Sequence, residues 1–342
     1  MSTKLSVLKI LEEKKGQTIS GEELANHLEV SRAAIWKAIK ELRKEGYAID
    51  AITNKGYCLT EDNDRISVQG ILPHLQSANM EEKVFVYKLL ESTNLTAKKM
   101  ALDGAAPGTV VIAEEQSKGR GRMGRSFYSP ADSGIYMSLI LKPGFDVAKS
   151  VLITTAASVA VCKAIEKVTG IRCEIKWVND IYMKGKKICG ILTEAVTDFE
   201  SGHIEHIILG IGINFTTAKV SFPEELKDIA GSLFHKTEDL KKTGTKQISR
   251  NQLIAEVINE VLSIHQDLES RSFIPEYKER SFVLGKEINI MQRISSSSGS
   301  DVPPPVPATA VDIDSDGGLV VRYEDGSTDT LNSGEISIRL RN

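Results

Sequence analysis

Between two runs that read as β-strands, TVVIAEEQ (109–116) and GIYMSLILK (134–142), the chain inserts KGRGRMGRSFYSP. Gly119, Gly121 and Gly124 fit G-x-G-x-x-G, which, followed by a helix, would commit this region to a dinucleotide-binding βαβ sheet. The flanks exclude that fold. Gly124 runs into Arg-Ser-Phe-Tyr-Ser-Pro, which reads as strand or coil, and Pro130 argues against a helix. Arginines also fill the x places where small apolar residues are usual. The segment therefore predicts a flexible cationic loop after a strand. Its glycines give a mobile backbone with accessible N–H groups, and Arg120, Arg122 and Arg125 supply planar donors suited to carboxylate or phosphate. A Gly-Arg tract for RNA, or a plain loop, is the other reading of these residues. One short tract between two strands speaks against RNA.

Around this loop, residues 66–275 predict one α+β domain. VFVYK, TVVIAEEQ, GIYMSLILK, CEIKW, KKICGILTEAV and HIEHIILGIGINF are strand-like. They often follow one another with no helix between, which favours a largely antiparallel sheet. Long helices are expected at 150–170, stopped by Gly170, and near 250–269, capped by Ser249. Residues 276–342 read as all-β, with turns at Asp316-Gly317-Gly318 and Asp325-Gly326, and their size suits a small SH3-like barrel. The Ser/Pro-rich stretch 295–307 interrupts it as a mobile loop or linker.

Residues 1–65 predict a winged helix-turn-helix. The helices are an amphipathic Lys4–Glu13, GEELANHL behind Ser20, and a third behind Ser31 whose stripe is Ala34, Ile35, Ala38, Ile39 and Leu42. Gly46 ends the third helix, and two short strand-like runs flank Thr53-Asn54-Lys55-Gly56. The segment holds eleven basic and eleven acidic residues, yet Ser31–Lys44 carries five bases against one acid. Phosphate contact needs that placement rather than a basic total. Charge alone fits a solvated helix face; the order of elements and the wing turn the reading to DNA. The candidates are Ser31, Arg32, Trp36, Lys37, Lys40 and, on the wing, Lys55.

The net charge of −3 over 342 residues predicts no general nucleic-acid affinity, only such a local patch. No apolar run reaches a membrane span, and the N-terminus lacks a signal-peptide core, so a cytoplasmic protein is expected. The four cysteines form no C-x-x-C and read as buried thiols. No H-E-x-x-H, Walker A, G-x-S-x-G or nucleophile–base set is present. Three further stretches can meet a ligand. KWVND (176–180) reads as a strand end with Asn179 and Asp180, although Asn-Asp is also a common turn pair, and Lys187 lies on the next strand. ESTN (91–94) fits either helix caps or a site. Glycines in the strand GIGIN (210–214) suggest close approach of a ligand or another backbone. These polar groups suit holding phosphate and carboxylate, not covalent protein catalysis.

Taken together, GRGRMGR (119–125), KWVND, the KxxG step Lys187–Gly190, GIGIN, ESTN, GEISIR (334–339) and the helix-turn-helix stretch SRAAIWKAIKEL with its wing NKGY closely resemble the bifunctional biotin protein ligases that double as biotin operon repressors. The resemblance covers nearly the whole chain. It implies a mixed or antiparallel central sheet of the biotin/lipoate ligase type. It also implies AMP-forming ligation: biotin and ATP, with Mg²⁺, give biotinyl-5′-AMP, and a lysine of a carboxylase acceptor domain takes the biotin. Repressor-type members dimerise with ligand on operator DNA. Carried over by position, Ser92, Thr93, Asn94 and Gln116 would meet biotin, and Arg120, Gly121 and Arg122 would form the loop over it. Arg122 would retain the adenylate, and Phe127 would take the place of an aromatic on adenine. Asn179 and Asp180 would face the nucleotide, Asp180 with Mg²⁺. Lys187 would contact the biotin carboxyl, beside Gly190; Gly210 and Gly212 would line the tunnel; and Arg339 would reach the nucleotide. Lys187, Arg122 and Arg120 are the expected catalytic groups. Val178 stands where the family usually has proline and should keep the strand. A lipoate-type ligase, disfavoured by the GRGRMGR loop, and a non-ligating winged-helix sensor of biotin or a related acid are the alternatives.

Overall fold

Serine hydroxyls start the first three helices of the computed structural model, which describes residues 2–142, 150–197, 204–217, 220–235, 248–292, 304–332 and 336–340. The chain divides into two compact units, 1–82 with 236–259, and 83–235 with 260–342. In the first, Ser2 caps α1 (Thr3–Glu13), Ser20 caps α2 (Gly21–His27) and Ser31 caps α3 (Arg32–Lys44), each accepting a backbone N–H of the first turn. Ile35, Ala38, Ile39 and Leu42 are buried along α3, while Ala34 is half-buried. They pack with Val7, Leu8, Leu11, Leu24 and Leu59 into one core. The hairpin of β1 (Ile49–Ile52) and β2 (Gly56–Leu59) follows as expected of a wing. Gly56 has φ 130°, and a Cβ there would lie 2.0 Å from the Ile19 carbonyl oxygen. Only glycine lets β2 start against residue 19.

After the short α4 (Val68–Ile71), the start of a distant helix completes this unit. Arg250 places its guanidinium on Asp64, 2.7 Å from Nε to Oδ2, and Asn251 accepts the Ser67 N–H at 3.1 Å. Ser249 caps this helix as expected. Close by, Glu12 Oε1 is buried with no hydrogen-bond partner among the described residues. Burial raises the Glu12 carboxyl to about 7, with Lys15 opposing and Asp64 adding to the shift. The native state therefore holds a proton that the unfolded chain releases above about 4.5. This contribution is fully present below that value and is lost as pH rises through 7. Glu12→Gln should flatten the fall in stability between pH 5 and 8, read by denaturant unfolding; an unchanged slope removes Glu12 as its cause.

The second unit is built on a seven-stranded sheet, with the helices laid around it. Its elements in order are β3 (Val84–Leu90), α5 (Thr93–Leu102), β4 (Val110–Gln116), β5 (Gly134–Leu141), α6 (Ser150–Thr169), β6 (Glu174–Lys176), β7 (Asp180–Met183), β8 (Lys186–Thr197), β9 (Ile204–Asn214), α7 (Arg250–Gln266, shared with the first unit) and α8 (Ile274–Arg280). The strand order is β3-β4-β5-β9-β8-β7-β6. Only β3 and β4, joined through α5, are parallel, so the largely antiparallel sheet is as expected. On one face Ala97 and Ala101 of α5 seal Val111, Ile140, Val196 and Ile208. On the other, α6 meets the sheet through Thr154 and Thr193, whose hydroxyls are 2.8 Å apart.

The C-terminal strands β10 (Glu287–Gln292), β11 (Val306–Ile313), β12 (Leu319–Arg322), β13 (Thr328–Leu331) and β14 (Ile336–Leu340) form an antiparallel sheet in the order β13-β12-β11-β10-β14. Alternate residues Ala308, Ala310, Leu319 and Val321 are buried in it. The Ser/Pro-rich stretch differs from expectation at its end: Val306 and Pro307 are strand, paired with Ile290 and Asn289. Residues 293–303 lie outside the described residues.

Candidate functional site

Three cross-strand rows on the α5 face of the large sheet decide what stands there. Ile140, Ile208 and Glu194 form the first row, Ser138, Gly210 and Leu192 the second, and Tyr136, Gly212 and Gly190 the third. Successive rows are two residues apart and so share a face. The first is covered by α5. The second and third have glycines at their centres and floor a cavity of about 170 Å³. GIGIN was expected to admit a ligand or another backbone; side chains of this chain are what approach. A Cβ on Gly210 would lie 2.1 Å from Asn94 Oδ1, and one on Gly212 would lie 2.6 Å from the Phe127 ring. Phe127 also rests edge-on against Tyr136, 6.4 Å between centroids.

One end of the cavity is polar and neutral. Thr93 N–H donates to Gln116 Oε1 at 2.8 Å, and Gln116 Nε2 donates to Ser129 Oγ at 2.9 Å. Ser138 Oγ stands 2.6 Å from Asn94 Oδ1, and Asn94 Nδ2 donates to Glu194 Oε2 at 2.6 Å. Ser92 takes the N-cap position of α5, but its side chain makes no capping bond. Of the two readings of ESTN, cap or site, the cap is thus not what this hydroxyl does.

The other end is cationic. The segment read as a flexible cationic loop forms a turn closed by its own backbone hydrogen bonds. Gly121 N–H donates to the Arg125 carbonyl at 2.7 Å, Phe127 N–H to that of Gly119 at 2.9 Å, and Arg120 bridges Ser126. Met123 and Gly124 adopt positive φ to make it. The turn carries Arg122 to Asn179, 2.8 Å from Nη1 to Oδ1, while Asn179 Nδ2 donates to the Ile191 carbonyl at 2.7 Å. Burial lowers the Arg122 guanidinium below its ordinary value, and Asp180 opposes the shift. Lys187, near the start of β8, donates to Asp180.

KWVND departs from expectation in one respect: β6 stops at Lys176 and Val178 lies in a turn, so valine does not keep the strand. Trp177 and Val178 are both buried, at 4% and 3% exposure, which adjacent residues of a strand with one covered face would not be. Tyr277 donates its hydroxyl to the Val178 carbonyl at 3.2 Å, and Trp177 Nε1 reaches the Gly317 carbonyl at 3.0 Å. Asn179 thus projects from an anchored turn, and Asp180 opens β7.

The cavity wall includes Ser92, Thr93, Asn94, Gln116, Arg120, Gly121, Arg122, Phe127, Asn179, Asp180, Lys187, Gly190, Gly210 and Gly212. Arg339 of β14 pairs through its backbone with Asn289 of β10. Sequence reasoning passed over Met123, Lys176, Trp177 and Leu192, which also line the cavity, and the buried Ser138 behind it. The signal for Ser138 was present: one small hydroxyl residue between the apolar Met137 and Leu139 of a buried strand. Among the described residues no three or more His, Cys, Asp or Glu gather to hold a metal ion. Asp180 alone suits a magnesium ion held mainly by a nucleotide's phosphates.

On the first unit, Arg32, Trp36, Lys37 and Lys40 project from α3 into solvent, and Lys55 does so from the hairpin turn. Trp36 is 57% exposed, with Lys40 Nζ 5.0 Å from its ring centroid. The Ser31 hydroxyl is engaged by the Ala34 N–H at 3.2 Å. No described helix is long and apolar enough to cross a membrane. Cys162, Cys173 and Cys189 are buried as expected, but Cys58 is only partly so.

Comparison with known proteins matches the HTH domain to residues 3–58, the biotin/lipoate A/B protein ligase family to 86–214, and the biotin protein ligase C terminal domain to 304–339. The bifunctional ligase/repressor BirA of Bacillus subtilis (strain 168) is 34% identical over 94% of both chains. BirA of Escherichia coli (strain K12) is 29% identical over 95% of this chain and 94% of its own. The structure of biotin protein ligase from Aquifex aeolicus in complex with biotin and ATP aligns with a TM-score of 0.60 at 26% identity, covering 76% of this chain and 100% of that one.

Proposed function

This chain belongs to the family of bifunctional biotin ligase–repressors, and on that premise we propose that it activates biotin with ATP to biotinyl-5′-AMP, transfers biotin to a lysine of a carboxylase acceptor domain, and represses transcription as a ligand-promoted dimer on operator DNA. It does so in the cytoplasm, with three domains: 1–65 for DNA, 66–275 for ligation and 276–342 as a C-terminal domain. The observation that carries the ligase reading is the two-ended cavity. A neutral end with fixed donors and acceptors takes the biotin ring, and Arg120, Arg122 and Lys187 gather two anions at the other.

The reaction asks for positioning and charge stabilisation rather than a protein nucleophile. A biotin carboxylate oxygen attacks the α-phosphorus of ATP, and pyrophosphate leaves with the electrons of the broken P–O bond. Lys187 holds the carboxylate, Asn179 and Asp180 face the nucleotide, Phe127 packs on adenine, and Arg339 reaches toward it. Mg²⁺, when bound at Asp180 and the phosphates, supplies neutralisation of the phosphate charge. The acceptor lysine amine then attacks the acyl carbon and AMP leaves. Arg122, held over the cavity by Asn179, retains the adenylate until then. Arg122→Gly should release adenylate and biotinylate bystander proteins, scored by mass spectrometry of an added non-acceptor protein. Adenylate release at the wild-type rate would remove Arg122 from that role.

Arg32, Trp36, Lys37 and Lys40 on α3, with Ser31 at its start and Lys55 on the wing, form the DNA face. Lys37→Ala, which removes one contact from each protomer of the dimer, should weaken operator and random DNA alike and reduce the slope of log affinity against log salt by about 2. A slope equal to wild type would place Lys37 off the phosphates.

A further inference from the structure

We propose that Trp36 is a specificity-determining residue of the DNA face, which reads a thymine in each operator half-site by laying its indole ring against the thymine C5-methyl in the major groove. The inference rests on the repressor reading above.

Folding does not ask for this tryptophan. The core of α3 is built without it, from the buried Ile35, Ala38, Ile39 and Leu42. Trp36 stands 57% exposed among Arg32, Lys37 and Lys40, which are exposed with it. An apolar ring set in a cationic face is matched by a surface that offers phosphates and apolar groups together, and the major groove of DNA does so. The ring is also held in place. Lys40, one turn on, has its ammonium over the ring, 5.0 Å from the centroid. Helical side chains lean toward the N-terminus, so Lys40 reaches back over the indole and the indole leans toward the exposed Ala33. Ala33 is too small to cover it. One face of the ring meets the ammonium, and the other is left for a partner. A ring fixed before binding loses little freedom when it meets DNA.

The chemistry of the ring picks the base. The N-terminal turns of a recognition helix meet base edges, and Trp36 lies in the second turn of α3. Indole brings an apolar face and one N–H donor, with no acceptor. In the major groove only thymine shows an apolar group, its C5-methyl, beside an acceptor, O4. Guanine accepts but has no methyl. Cytosine shows an amino donor alone, and adenine an amino donor beside its one acceptor. Thymine is therefore the base that suits this side chain, and a two-fold dimer meets one in each half-site. Lys37 and Lys55 suit phosphate, which carries no sequence.

The test uses the full-length protein with biotin and Mg-ATP, and the sites it selects from a pool of random-sequence duplexes. Each thymine of the selected site is then replaced in turn, in both half-sites, by deoxyuridine, which removes the methyl and nothing else. For wild type, one such replacement should weaken binding about tenfold, the effect of losing two buried methyl contacts. Trp36→Ala should bind that thymine site and its deoxyuridine counterpart equally. Trp36→Phe, which keeps an apolar face, should still prefer the methyl. The ring is exposed, so both variants should keep the wild-type thermal melt. Wild type indifferent to every thymine methyl overturns the inference, whatever the variants do. An alanine variant that keeps the full penalty, or a phenylalanine variant that loses it, overturns the role of Trp36. Wild type that selects a site beside either result sinks this inference alone; wild type that enriches no sequence sinks the repressor reading with it.

Discussion

Lys187→Ala is expected to slow biotinyl-adenylate formation by about 100- to 1,000-fold, the scale of removing one preorganised charge donor from a reacting centre. The reasons are local. Lys187 enters the cavity from β8, donates to Asp180, and has its methylene and ammonium ends 3.3 Å from where a Cβ on Gly190 would stand. Its backbone is clamped by Ile229 and Gly231, with hydrogen bonds of 2.9 and 2.8 Å, so the ammonium is delivered by a fixed strand. The fold should survive the change. The Lys187 and Asp180 side chains keep 28% and 24% of their exposure, and an ion pair of that kind contributes about 1 kcal/mol or less to stability. Rapid-quench measurement of pyrophosphate release, beside a thermal melt, separates the two effects. A wild-type rate would remove Lys187 from the site. Loss of rate matched by loss of the melting transition would make it structural.

Gly210→Ala is the second large effect. The added Cβ would stand 2.1 Å from Asn94 Oδ1 and 2.8 Å from its Cγ, so Asn94 must leave the sheet. Asn94 is short and buried, and its departure would leave Ser138 and Glu194 without their shared partner. A buried polar group left unmatched costs about 1–3 kcal/mol, and one such cost falling on biotin binding makes a biotin KM raised by one to two orders of magnitude the expected result. The KM for ATP should move little, because Arg122, Asn179 and Lys187 stand elsewhere in the cavity. Steady-state kinetics with each substrate varied in turn reads this directly. Equal rises in both constants would mean that the sheet itself had deformed; no rise would mean that Asn94 does not serve the biotin end.

Patterns that depend on near neighbours in the chain were legible. The amphipathic run from Lys4 to Glu13, the stripe from Ile35 to Leu42 and the serines at 20 and 31 marked three helices because capping and periodicity are local, whereas the Ser2 cap of the first was not read. Successive strand-like runs marked an antiparallel sheet. The cationic turn was legible as chemistry, since Gly and Arg at 119–125 admit few other uses, but not as a closed turn. Its bonds join Gly119 to Phe127 and Gly121 to Arg125, through dihedrals at Met123 and Gly124 that no spacing reveals. What stayed hidden depended on register. Gly210 and Gly212 could be seen as clearances, but not that Asn94 and Phe127 occupy them, because those contacts join residues over 80 positions apart. Val178 was misread as strand because burial of two adjacent side chains needs the turn, and the turn is held from α8 by Tyr277. Ser138 and Glu194 were plain in the sequence as polar residues in apolar strands. Their roles appeared only once β5, β9 and β8 were aligned in rows.

The central claim is that the two-ended cavity joins biotin to a protein. The most direct measurement is the mass of a purified carboxylase acceptor domain incubated with this protein, biotin and Mg-ATP. The account predicts an increase of one biotinyl group that requires ATP and disappears when the acceptor lysine is replaced. An acceptor of unchanged mass, with biotin still bound by the protein, would contradict it and leave a winged-helix sensor in place of a ligase.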